Sequence, residues 1–126
     1  MSTLRRWWLV AVVGLGLGWG WPLQAADLEA GKALYQQYCS TCHGPEGKGN
    51  GPAAAAMQPK PRDHTDGRYM NALSDAHLFK VISQGGAAVG KSPLMPAWQG
   101  VLTPQQIRDV MAYLRTLAVP PYRPSP

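Results

Sequence analysis

Phenylalanine is nearly absent from this chain of 126 residues, with Phe79 alone. A domain of about a hundred residues is already marginal in the apolar area it can bury. A core so short of large rings therefore points to a staple, a metal or a cofactor as its supplement. Cysteine is scarce as well, with only Cys39 and Cys42. That excludes a disulfide framework, and a bridge between residues three apart closes too short a loop to constrain a fold. Acidic residues number 7 against 12 lysines and arginines. The excess is mild and unclustered: Lys32, Lys48, Lys60, Lys80 and Lys91 stand apart. There is no basic block of the kind nucleic-acid binding requires. The scattered charges read as a solvated surface, or as a loose positive rim that orients an acidic partner. No strand-like alternation and no internal repeat is present.

The start of the chain has its own pattern. Met1-Ser2-Thr3-Leu4-Arg5-Arg6 is short and positive, Trp7 to Trp21 is apolar, and Pro22-Leu23-Gln24-Ala25-Ala26 ends in small residues. This order is that of a secretory signal over residues 1–25, with cleavage expected after Ala25. The rival reading is an uncleaved membrane anchor, but the 15 apolar residues fall short of the roughly 20 that span a bilayer. Losing Arg5 and Arg6 from the 12 basic residues leaves +3 against the 7 acids.

Residues 26–119 are expected to form the folded domain. Asp27 to Tyr38 reads as a helix, with Asp27 as cap and Ala30, Leu34, Tyr35 and Tyr38 on one apolar face. Gly44 to Asp66 is rich in glycine and proline and excludes a long regular element, although Ala53 to Met57 can make one helical turn. An irregular segment of that length suggests that it wraps something functional. Ser74 to Gln84 is a second helix, stopped by Gly85 and Gly86. Thr103 to Leu117 is the clearest, with Thr103 and Gln106 forming a capping box and Pro104 in the first position. Ile107, Val110, Met111, Leu114 and Leu117 form its buried stripe. The proline-rich tail 120–126 is expected to be extended or disordered. The fold class is all-α, three to four helices with long ordered loops.

Cys39-Ser40-Thr41-Cys42-His43 is the Cys-x-x-Cys-His pattern of c-type haem attachment. Two thiols on one helical turn can each add to a vinyl group of the same porphyrin, and the next residue projects its imidazole at the iron. A thioredoxin-like redox pair would want a β-α-β setting, which is missing. A zinc site would need further ligands and a wider spacing than adjacent Cys42 and His43. The pattern thus predicts one covalent haem c, with His43 as an axial iron ligand.

The other axial position has six candidates: Met57, Met70, Met95, Met111, His64 and His77. Met111 lies on the stripe of the last helix, and His77 is expected to face solvent beside Asp75. Met57 and His64 follow the motif too closely to reach across the ring. Met95 is favoured, because Pro93-Leu94-Met95-Pro96 is a stiff loop whose prolines lower the ordering cost of holding a thioether near iron. Met70 is the second choice.

With these residues in view, the chain resembles the class I cytochromes c of bacteria. The matching pieces are Gly31-x-x-x-Tyr35, Cys39 to Gly44, Gly47-Lys48-Gly49-Asn50-Gly51-Pro52, Pro93-Leu94-Met95-Pro96-Ala97-Trp98, and Tyr113-Leu114 in the last helix. The resemblance implies that the first and last helices pack at Gly31 and Tyr35. It implies that the Pro52 carbonyl accepts from the ring nitrogen of His43 that is not bound to iron. It also makes Trp98 and Arg62 candidates for the haem propionates. His43 and Met95 together leave no open iron position, so the expected role is one-electron transfer, not catalysis. The expected form is a monomeric periplasmic carrier between redox protein partners, a donor and an acceptor, touching a membrane only through an uncleaved N-terminal segment. The alternatives are a haem c subunit or docked donor of a larger redox enzyme and, further off, a haem sensor or peroxidase.

Overall fold

The structure is a computed structural model that describes residues 24–124. The export signal expected over residues 1–25 therefore lies outside the described residues but for Gln24 and Ala25. Among the described residues five α-helices follow one another: α1 (Leu28–Tyr38), α2 (Ser40–His43), α3 (Gly67–Met70), α4 (Asp75–Gln84) and α5 (Pro104–Thr116). Single 3-10 turns occupy Ala54–Ala56 and Gly86–Val89. Among the described residues there is no strand, only an isolated bridge between Asp66 and Val119. No helix there is long and apolar enough to cross a membrane.

Each long helix starts where its cap chemistry puts it. The Asp27 carboxylate accepts from the Glu29 and Ala30 amides, both at 3.0 Å. The Ser74 hydroxyl accepts from the His77 amide at 3.1 Å. Thr103 and Gln106 close a reciprocal capping box. The four-residue α3 was not foreseen; it begins at Asp66, whose carboxylate accepts from Arg68 and Tyr69.

The core forms where α1 crosses α5. Gly31 sits so close to α5 that a Cβ there would run into the Asp109 carbonyl. Tyr35, with no exposed surface, meets Tyr113 edge-on at 5.3 Å. Ile107, Val110 and Leu114 face inward as the periodicity predicts, joined by Leu78 and Ile82 from α4. Two charged residues of α5 are buried beside this stripe. Asp109 accepts from the Asp27 amide and the Gln105 side chain, both at 2.9 Å. Arg115 donates to the carbonyls of Met70 and Leu73 and to Asp75, tying α5 to the α3–α4 connection.

The tail, expected to be extended or disordered, is fastened to the domain as far as Tyr122. Val119 exchanges backbone hydrogen bonds with Thr65 and Gly67 at 2.9 and 3.0 Å. The Asn71 side chain donates to the Pro120 carbonyl at 2.9 Å, and the Arg115 guanidinium lies 3.9 Å over the Tyr122 ring. Prolines lack a donor but keep their carbonyls, so a proline-rich segment docks by accepting.

Candidate functional site

The motif folds as one compact turn. α1 ends at Tyr38, and the His43 amide donates to the Cys39 carbonyl at 2.9 Å. Cys39, Cys42 and His43 then line one cavity of about 800 Å³, within the range of small-molecule and cofactor pockets. Both cysteines are half-buried and are not joined to each other. Burial, then the neighbouring Cys42, pushes the Cys39 thiol up to about 12.

His43 is held from two directions. Its Nδ1–H donates to the Arg62 carbonyl at 2.9 Å, which leaves the Nε2 lone pair free for a metal. Burial lowers its pKa, and the bond to Arg62 opposes that shift. The carbonyl is Arg62's and not that of Pro52, contrary to the expectation from resemblance. The Gly51 amide bonds the Cys42 carbonyl and the Ala53 amide bonds the Thr41 carbonyl, both at 3.0 Å. Those bonds pin Pro52 beside the α2 backbone and leave it exposed. Meanwhile Pro61 and Arg62 close on His43 over Gly49, where a Cβ would strike the Pro61 carbonyl.

His64 supplies the second hold. Its ring stacks on His43 with centroids 4.1 Å apart and planes 21° from parallel. His64 Nδ1 and the Tyr35 hydroxyl share a hydrogen bond of 2.8 Å. Burial, then His43 and Arg62, keeps the His64 pKa well below the usual histidine range, while burial raises that of Tyr35. Both side chains are therefore neutral near pH 7. His64 lines the cavity beside His43, with its ring on the face of that imidazole. Nothing in the sequence spacing signals this pairing.

Met95 is half-buried and lines the same cavity as the motif. Its carbonyl accepts from the Gly86 amide at 3.1 Å and its amide donates to the Ser92 carbonyl at 3.3 Å. The Gly85-Gly86 pair lies directly against this loop, where a Cβ on Gly86 would meet the Ser92 carbonyl. Trp98 and Gln99 fix the loop's far end by donating to Ile82 and Ser83 of α4 at 3.0 and 3.1 Å. Met57 and Met70 also reach the cavity, but Met70 is 2% exposed and packed in the core. Met111 is core and stays off the cavity. His77, expected in solvent, is half-buried and lines the cavity from α4. Trp98 also lines it, tilted on Tyr38 at 5.3 Å. The Arg62 guanidinium lies 3.8 Å over the Tyr69 ring.

The cavity fits a haem. Its walls are largely apolar, with two thiols, an imidazole with a free Nε2 and a thioether on one chamber. Lys60, Arg62 and Lys91 are among its lining residues and no Asp or Glu is, which suits a flat apolar group carrying carboxylates. A zinc site finds no support: among the described residues no group of three or more His, Cys, Asp or Glu could hold a metal ion.

Comparison with known proteins agrees. Residues 26–114 match the family described as cytochrome c oxidase, cbb3-type, subunit III. Similar curated proteins include the cbb3-type cytochrome c oxidase subunit FixP of Bradyrhizobium diazoefficiens, 34% identical over 91 residues, 72% of this chain and 28% of that protein. The subunit CcoP of Azospirillum brasilense is 30% identical over 93 residues, 74% of this chain and 29% of its own. The chain thus spans under a third of the length of these two relatives. Among solved structures, the Kuenenia stuttgartiensis reducing HAO-like protein complex Kustc0457/Kustc0458 superposes with a TM-score of 0.61 at 27% identity, covering 81% of this chain and 48% of that one. The KustC0563 c-type cytochrome gives 0.57 at 25% identity, covering 70% and 96%. The chain belongs to the cbb3-type cytochrome c oxidase subunit III family, a class I-like cytochrome c domain with covalently bound haem c and an electron-transfer role.

Proposed function

We propose that Cys39 and Cys42 hold the haem through two thioether bonds, that His43 Nε2 and the Met95 sulfur are its axial ligands, and that the domain passes single electrons within a larger redox assembly. The observation that supports the ligand set is that Met95 lines the cavity of the attachment motif on a loop pinned to Gly86 and α4, whereas Met70, which also lines it, is packed in the core. Bound haem iron supplies the one-electron couple. Held by His43 and Met95, the iron would have no open position for a substrate. A thioether ligand and apolar walls both favour reduced iron and raise the potential. The cationic rim of Lys60, Arg62 and Lys91 favours an acidic docking surface on the partner.

Membership of an assembly is preferred to the free periplasmic carrier that the motifs alone suggest. The curated relatives are named as oxidase subunits, and one structural neighbour is part of a complex. We place the haem domain on the exported side of the membrane, in keeping with the charge and apolar pattern of residues 1–25.

The test is spectroscopic and biochemical. The pyridine haemochrome of the exported protein should be that of haem with both vinyls saturated. The oxidised protein should show the far-red methionine–iron charge-transfer band, lost in Met95→Ala and kept in Met57→Ala and Met70→Ala. Loss of the band in Met70→Ala alone would move the ligand to Met70. Purification from native membranes under mild detergent should bring a redox enzyme with the domain, and recovery of the free monomer alone would restore the carrier reading.

A further inference from the structure

We infer that His64 is a positioning residue for His43: its ring, keyed by the Tyr35 hydroxyl, lies flat on the iron-side imidazole and fixes the angle of that ring's plane about the iron–nitrogen axis. The inference rests on His43 being the axial ligand.

The Nδ1–H bond from His43 to the Arg62 carbonyl aims the ring along one line. A single hydrogen bond tolerates wide rotation of donor against acceptor, so it leaves the tilt of the imidazole plane loosely set. A second flat ring 4.1 Å away and 21° from parallel blocks that rotation on one face. His64 is in turn fixed at both ends. Its Nδ1 pairs with the Tyr35 hydroxyl at 2.8 Å, and its amide donates to the Gly47 carbonyl at 2.6 Å. Tyr35 cannot drift, being fully buried and packed edge-on against Tyr113.

Gly47 shows that this arrangement is specific. Its φ is +78°, and a Cβ there would approach the Tyr35 hydroxyl, the His64 Cβ and Leu117 together. The Tyr35–His64 contact exists in this form because position 47 carries no side chain. Ordinary core packing would be served by any apolar residue at position 64. A histidine in this place brings both a flat face for His43 and a ring nitrogen for Tyr35.

The plane of an axial imidazole sets the orientation of its π orbital over the porphyrin, and so the magnetic anisotropy of low-spin ferric haem. The experiment therefore uses haem-loaded, oxidised protein and reads the proton NMR pattern of the haem ring methyls together with the principal g values. His64→Leu should reorder or compress the ring-methyl shifts and move the g values. His64→Phe, which keeps a flat ring, should stay nearest to wild type, and Tyr35→Phe, which removes only the key, should fall between. If His64→Leu lowers the melting temperature but leaves both spectra as in wild type, the role is packing alone and the inference is overturned. Equal shifts in His64→Phe and His64→Leu would overturn it too. Should His64→Leu fail to load haem, Tyr35→Phe decides, an unaltered spectrum counting against and an altered one for. A wild type without the methionine–iron band or low-spin signals would overturn the ligand assignment itself, a failure seen before any variant is made.

Discussion

Replacing Arg115 with methionine should destabilise the haem-loaded protein by about 3 kcal/mol, and the structure says which contacts carry that cost. The side chain is 9% exposed, which is rare for arginine without fixed partners. It donates to the Met70 carbonyl at 2.8 Å and to the Leu73 carbonyl at 2.6 Å. Each buried acceptor left unpaired costs about 1–3 kcal/mol. Met70 is fully buried while Leu73 is half-buried, so water can rescue the second and the two together come to about 2. Loss of the guanidinium over Tyr122, at 3.9 Å, adds about 0.5–1 kcal/mol. The ion pair with Asp75 at 2.7 Å adds little, because the carboxylate is 65% exposed and turns to water when released. For a domain of this size 1 kcal/mol shifts the melting temperature by about 4–8 °C, so the expected drop is about 12–24 °C by circular dichroism. Asp75→Asn should cost under about 1 kcal/mol. Equal losses in the two variants would refute this division between carbonyls and ion pair, and an Arg115→Met melt within about 4 °C of wild type would refute the role of Arg115 altogether.

Three further outcomes follow from the same contacts. Gly31→Ala forces a methyl into the Asp109 carbonyl and should cost about 1–3 kcal/mol by separating α1 from α5; calorimetry at wild-type stability would mean that the helices do not touch there. Cys39→Ala with Cys42→Ala should leave a chain without haem that melts without cooperativity, since a cavity of about 800 Å³ at its centre leaves the core unfilled; a sharp native-like transition would contradict this. Lys60→Glu with Lys91→Glu reverses part of the rim and should slow electron exchange with an acidic partner and flatten its dependence on ionic strength, and an unchanged salt slope in stopped-flow would remove the rim from the docking step.

What was legible in the sequence is what local chemistry fixes. The caps Asp27, Ser74 and Thr103 act within three residues, so the starts of α1, α4 and α5 could be read directly. The stripe of α5 was readable because its period is that of the helix. That Cys39, Cys42 and His43 line one cavity could be anticipated because they lie within five residues. Several misses depend on residues far apart in the chain. Arg115 meets Met70 across 45 positions, His64 meets Tyr35 across 29, and Asn71 holds Pro120 across 49. α3 is four residues long, too short for any periodicity. His77 was assigned to solvent from its acidic neighbour Asp75, but the pitch of α4 turns it to the cavity while Asp75 points to Arg115.

The Pro52 expectation failed because of how the loop is fastened. The Gly51 and Ala53 amides bond the Cys42 and Thr41 carbonyls and hold the turn at Pro52 on the α2 backbone. The later stretch passes over Gly49 and brings the Arg62 carbonyl to His43 instead. Pro61 to Thr65 has no helix, yet it is well fastened. Asp63 accepts from the Thr65 amide and hydroxyl at 2.8 and 2.6 Å, Arg62 gives its carbonyl to His43, and His64 lays its ring on the same imidazole. Gly44, Gly47 and Gly49, all at positive φ, let the loop fold back tightly enough for this to happen. A one-electron site gains from an environment that changes little between the two oxidation states. Here the constancy of the His43 side comes from a loop fastened at every residue from Arg62 to Thr65, with the helices supplying the walls against which it is fastened.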